Sequence, residues 1–142
     1  MTALLQPIFD RVLALVRVEP ADIAKAIGVP LKLVDQSAPM EYYEGTFPSG
    51  ALETADFRLN RKTGLAILVV KPRASETVVE SQVDLTRYGP IVEISSNPRM
   101  APEGVDAIDF DVFGVRLAFQ FTRTSRKLYS VSFQWPKLPG AG

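Results

Sequence analysis

A chain of 142 residues has room for one hydrophobic core, and its 16 basic residues balance 16 acidic ones, so no long-range field draws it to nucleic acid or an anionic membrane. It contains neither cysteine nor histidine. That composition excludes disulfides, thiolate nucleophiles, zinc sites built from Cys and His, and every relay in which a histidine activates a serine or cysteine.

Near the N-terminus, charges at Asp10, Arg11 and Arg17 interrupt an apolar run that lacks a preceding basic region and a following small-residue cleavage site, so no signal peptide is expected. The longest apolar run, Leu65 to Val70, is too short to span a bilayer, and the sequence reads as cytoplasmic. From 7 to 18, Ile8, Phe9, Val12, Leu13, Leu15 and Val16 fall on one side of a helix and the charges on the other. Pro7 suits the first helical position, where its missing N–H had no partner to lose. Pro20 ends that helix and opens a second, with Ile23 and Ile27 four apart and Gly28 as terminator. Residues 7–28 thus form a helical hairpin.

Beyond Pro39 the apolar period changes from helical to two, and residues 41–135 read as a mostly antiparallel sheet. Glu41 to Phe47 is a strand closed by Pro48-Ser49-Gly50, and Leu52 to Asn60 a second that turns at Arg61-Lys62-Thr63-Gly64, with Gly64 left-handed. The next run, LAILVV, is apolar on both faces and belongs at the sheet centre. Thr77 to Thr86 alternates as a half-exposed strand, with a helix capped by Ser75 as the alternative. Ile91 to Ser95 is a short strand, and Ser96 to Gly104 a loop held out of regular structure by Pro98 and Pro102.

Residues 107–113 point Ile108, Phe110 and Val112 inward, but after Gly114 the inward parity shifts to Val115, Leu117, Phe119 and Phe121. A β-bulge in one long bent strand gives that shift; a tight Phe113-Gly114 hairpin is the rival. Val115 to Trp135 reads as a two-stranded ribbon with a five-residue turn, pairing Thr122 with Leu128 and setting Phe121 against Tyr129, Phe119 against Val131 and Leu117 against Phe133 on one apolar face. Residues 136–142 read as a tail. The fold class is therefore α+β: a helical pair packed on a curved antiparallel sheet of six to eight strands, partial closure at Gly114 remaining open.

Residues 22–35, DIAKAIGVPLKLVD, resemble the helix-turn-helix of bacterial repressors, with Ala24 at the close-packed position, Gly28-Val29 at the turn and Val34 six residues beyond the glycine. The resemblance implies a DNA-binding regulator using residues 22–36, with Pro30 to Gln36 as the recognition helix. Taken by themselves these residues are a helix ended by Gly28 and packed through Ile23 and Ile27. Lys32 is the segment's only basic residue beyond that glycine, so nucleic acid is not the expected partner.

Other candidate chemistry is sparse. Asp106, Asp109, Asp111 and Glu103 offer oxygen ligands without the spacing of a calcium loop. Ser95 and Ser96 lack an activating histidine and a nucleophile elbow. Arg61 and Lys62 on one hairpin tip, and Arg123, Arg126 and Lys127 on another, would bind an anion if the tips met, and otherwise keep strand ends soluble. Adjacent Tyr42 and Tyr43 cannot both face inward on a strand, so Tyr42, Tyr43, Phe47, Arg99 and Met100 form the candidate interaction surface. The resulting expectation is a non-enzymatic protein-binding module, such as an inhibitor, immunity-type or assembly factor. Its partner is another protein or a second copy of the chain, with no catalytic residue, cofactor, metal or membrane called for. A small-molecule carrier or sensor, its ligand held against Phe110, Phe119, Phe121, Phe133 and Trp135, is the alternative.

Overall fold

Eight stretches of the chain alternate strongly enough, or leave neighbouring backbone sufficiently unpaired, to become strands. A computed structural model describes residues 5–99 and 102–136. Two helices, α1 (Leu5–Leu13) and α2 (Pro20–Ile27), precede the strands β1 (Lys32–Ser37), β2 (Met40–Thr46), β3 (Leu52–Asn60) and β4 (Ala66–Pro72). After two short 3-10 helices, Glu80–Gln82 and Leu85–Tyr88, come β5 (Glu93–Asn97), β6 (Val105–Val112), β7 (Val115–Thr122) and β8 (Leu128–Trp135). All neighbours are antiparallel and the order is β1-β2-β3-β4-β8-β7-β6-β5, an open α+β sheet. Two four-stranded meanders therefore meet at the β4–β8 seam, where Leu68 faces Phe133.

Both helices lie on one face. Leu5, Phe9 and Val12 of α1 and Ile23 and Ile27 of α2 join a single apolar cluster with the inward side chains of β3, β4, β6, β7 and β8. Phe9 sits between Phe119 and Phe133, its ring centroid 5.9 Å from each. The helix pair is shorter than the periodicity suggests, because α1 stops at Leu13. Leaving the helix lets Val18 drop into the core while Val16 remains in solvent. Gly28, left-handed at φ 83, ends α2 as its position predicts. In mid-strand, Gly45 has a different role: a Cβ there would come within 2.9 Å of the Pro30 carbonyl oxygen, so its absence lets the segment leading into β1 cross close over β2.

Five expectations are corrected. Residues 32–37, assigned by the repressor resemblance to a recognition helix, are edge strand β1, which uses the otherwise free side of β2. Thr77 to Thr86 is not a strand: β3 and β8 already occupy both sides of β4, so the chain leaves for the far edge and crosses the inner face as 3-10 turns. Val78, Val83 and Tyr88 are buried along that crossing, and Val79 makes one isolated bridge to Lys127. The fifth strand begins at Glu93 and runs to Asn97, taking Ser96 and Asn97 from the expected loop.

At Gly114 there is a hairpin and no bulge: Val112 pairs with Val115, with φ 53 at Phe113 and φ 81 at Gly114 in a two-residue left-handed turn. In the C-terminal ribbon, Leu117–Phe133 and Phe119–Val131 pair as read, but a register shift sets Phe121 against Leu128. The turn closes instead from Thr122 to Lys127, leaving four residues in the loop. Leucine takes the core position, and Tyr129 is turned to the opposite face, where the Lys71 ammonium lies 5.5 Å from its ring centre.

Candidate functional site

The helices and 3-10 turns cover only one side of the sheet. On the other side, side chains from successive strands stand in cross-strand rows: Tyr42 opposite Arg58, Arg58 opposite Ile67, Asp56 opposite Val69, and Val69 opposite Ser132. At the centre of this outer face an open depression of about 240 Å³ is lined by Asp56, Arg58, Ile67, Val69, Lys71, Gln120, Tyr129, Ser130 and Ser132. Its floor is aliphatic and its rim polar. The Arg58 guanidinium lies 5.9 Å from the Tyr42 ring centre, and Lys71 covers Tyr129, so each cation is set by an aromatic ring. Among the described residues neither Arg58 nor Lys71 forms an ion pair. On the far side of the depression Ser130 donates to Gln120 Oε1 at 2.5 Å, which satisfies a hydroxyl that is otherwise buried.

The five residues of the candidate surface do not come together. Tyr42 joins the outer face, as just described. Tyr43 faces the helices, 6.1 Å from Phe57, and donates its hydroxyl to Glu41; burial first, then that carboxylate, raise its pKa. Phe47 is buried in the core. Arg99 is exposed beyond β5, which is eighth in the sheet where β2 is second; six inter-strand spacings amount to roughly 29 Å. Met100 lies outside the described residues. Of the four described, only Tyr42, half-buried, stands on the outer face, its ring beside the Arg58 guanidinium.

The acidic residues are separated as well. Asp106 sits opposite Phe121 on the inner face, bonded to Ser96 Oγ at 2.7 Å and to Arg126 at 2.7 Å; the serine hydroxyl and then the guanidinium hold its pKa down. Asp109, on the outer face, is paired with Arg116 at 2.9 Å. Glu103 accepts the backbone N–H groups of Thr124 and Ser125 and the Ser125 hydroxyl, which set its pKa at about 2. These carboxylates brace turns and cations, and among the described residues no group of three or more Asp or Glu is placed to hold a metal ion.

The two basic tips lie at opposite ends of the sheet, since Ala66, next to the first tip, pairs with Trp135 at the far end of β8. Their guanidinium groups are also engaged. Arg61 binds Glu19 at 2.6 Å and Glu41 at 3.0 Å, and Arg126 binds Glu80 at 2.5 Å as well as Asp106. Those contacts fasten α2 and the 3-10 crossing to the sheet, and no shared anion patch forms.

The aromatic wall suggested for a carrier is the core itself. Phe110, Phe119 and Phe121 pack on one another and on Phe9 and Tyr88, and Phe133 stacks on Trp135, with every one of these rings buried. Exposed apolar groups that the sequence reading passed over lie elsewhere. Phe113 is 92% exposed at the β6–β7 turn, and Ile91 and Val92 just before β5 and Ile94 within it are exposed. Their signal is an apolar side chain beside an edge or turn, which periodicity alone does not separate from core. No helix among the described residues is long and apolar enough to cross a membrane. No family model, curated protein or solved structure matches this chain.

Proposed function

We propose that this chain is a non-enzymatic protein-binding module, of the inhibitor, immunity or assembly-factor kind, that holds its partner on the outer face of the sheet in the cytoplasm. One observation carries the reading. Eight strands bear helices on a single side, and the uncovered side presents tyrosines, an arginine and aliphatic groups around an open depression. Tyr and Arg anchor protein interfaces because each supplies a large contact area together with a directional polar group. Arg58 and Lys71, free of ion pairs among the described residues and flanking Ile67 and Val69, fit a partner that offers a carboxylate beside apolar side chains.

Photo-crosslinking side chains placed singly at Ile67, Val69 and Tyr129 in the native host, with Lys25 on α2 as control, test this. One protein is expected to be trapped from the sheet positions and not from the control, and to bind when reconstituted from pure components. Arg58→Ala and Tyr129→Ala should each weaken that complex by about tenfold or more, the loss of about 1.4 kcal/mol expected of an interface anchor. A partner trapped only from the helical side, or bound unchanged by Ile67→Glu, overturns the reading.

A further inference from the structure

The sheet has two edges, and they are treated differently. Strand β1 carries Lys32 and Asp35 and a register shift between Leu33 and Asp35, the charges and irregularity that discourage another strand from adding on. Strand β5 has no lysine and no register shift within its pairing to β6. Its sequence, EISSN, set between Pro90 and Pro98, contains no lysine, arginine or proline, and Ile94 is 63% exposed. Glu93, its only charged residue, is paired with Arg116 at 2.9 Å.

Backbone direction follows from the neighbouring hairpin. Val112 and Val115 flank a two-residue turn and so exchange their hydrogen bonds with each other, which turns the peptide groups of Val105, Ala107 and Asp109 toward β5. The Asp109 carbonyl indeed accepts from Val92 N–H at 2.8 Å. Paired with those residues, Glu93, Ser95 and Asn97 bond inward, while the N–H and C=O groups of Ile94 and Ser96 face the open edge.

We infer that β5 is a homodimer interface: two copies of the chain join edge to edge, antiparallel about a twofold axis, with Ile94 opposite Ile94 of the second copy. In this register Glu93 meets Ser95, so the two glutamates stay apart, and the Ile94 side chains of the two copies meet on the helix side of the joined sheet, the face on which Ile108 lies. Centring the pair one position earlier sets Glu93 against Glu93, and one position later sets Ser95 against Ser95 and leaves each isoleucine facing a serine. The pairing goes beyond the partner proposed for the outer face and leaves that face open.

Because the chain has no cysteine, single thiols report the register. Opposed residues in a non-hydrogen-bonded antiparallel pair lie about 4.5 Å apart at Cα, within disulfide reach. A mixture of Glu93→Cys and Ser95→Cys proteins is expected to give a covalent dimer on mild oxidation, with little from either alone. Sedimentation of the unmodified protein should give twice the 15.6 kDa chain mass, returning to one chain mass in Ile94→Lys with an unchanged circular-dichroism spectrum. A protein that sediments as a monomer at millimolar concentration, a dimer that Ile94→Lys leaves intact, or cross-linking of Ser95→Cys alone overturns the inference. Should Ile94→Lys fail to fold, the thiol mixture decides alone.

Discussion

Phe9→Ala tests the layering most directly. Its ring, 1% exposed, is what α1 inserts between Phe119 and Phe133. Truncating such a side chain removes its transfer free energy and leaves a void that a β-sheet cannot close, a loss of about 3–5 kcal/mol. An unfolding entropy near 2.1 cal/mol/K per residue gives about 0.3 kcal/mol/K for 142 residues, so a loss of roughly 4 kcal/mol lowers Tm by about 13 °C. The same deletion at Phe113, 92% exposed, serves as the control and should stay within about 0.5 kcal/mol. Urea titration followed by the fluorescence of Trp135, the chain's one tryptophan and buried in the same core, measures both. A Phe9→Ala loss below about 1 kcal/mol, or one equal to that of Phe113→Ala, would show that α1 does not seal the sheet.

Phe113→Asn should stabilise by about 1 kcal/mol in the same titration, since φ 53 is strained for phenylalanine whereas Asn-Gly is the preferred pair for this turn. Gly45→Ala is expected to cost about 1–3 kcal/mol, the reverse of the usual gain in a strand, because the added methyl meets the Pro30 carbonyl at 2.9 Å; a neutral result would refute the close crossing. Glu103 has a folded pKa of about 2, below its unfolded value, so the stability it contributes is full above about pH 4.3 and disappears as pH falls toward 2. Glu103→Gln should therefore be less stable than the parent at pH 7, with the gap narrowing by pH 2 in acid-titrated thermal melts; a gap independent of pH would refute the assignment.

The helix-on-sheet architecture was legible wherever one side of an element is buried. Inward Phe57, Leu59, Leu117, Phe119 and Phe133 alternate with polar neighbours, and the sequence period alone places them. Edge strands gave no such signal: every residue of β1 and β5 is exposed, so nothing in their pattern opposes a core face to a solvent face. The Gly114 ambiguity has a geometric origin, because a two-residue hairpin and a one-residue bulge shift inward parity by the same step. Only a left-handed φ at Phe113 separates them, and a phenylalanine does not advertise one. The outer face was hidden for another reason. Tyr42, Arg58, Ile67 and Tyr129 lie on four strands, and their meeting depends on strand order, including the β4–β8 seam that joins residues more than sixty positions apart.

That seam bears on synthesis. Strand β8, made after the other seven strands, is inserted between β4 and β7, so the two meanders have no shared ladder until Trp135 has emerged. Until then both inner edges stand unsatisfied, and the nascent chain carries two sticky half-sheets instead of one protected domain. Joining the half-sheets then waits on contacts remote in sequence, such as Ala66 with Trp135, which makes β8 the keystone of the sheet.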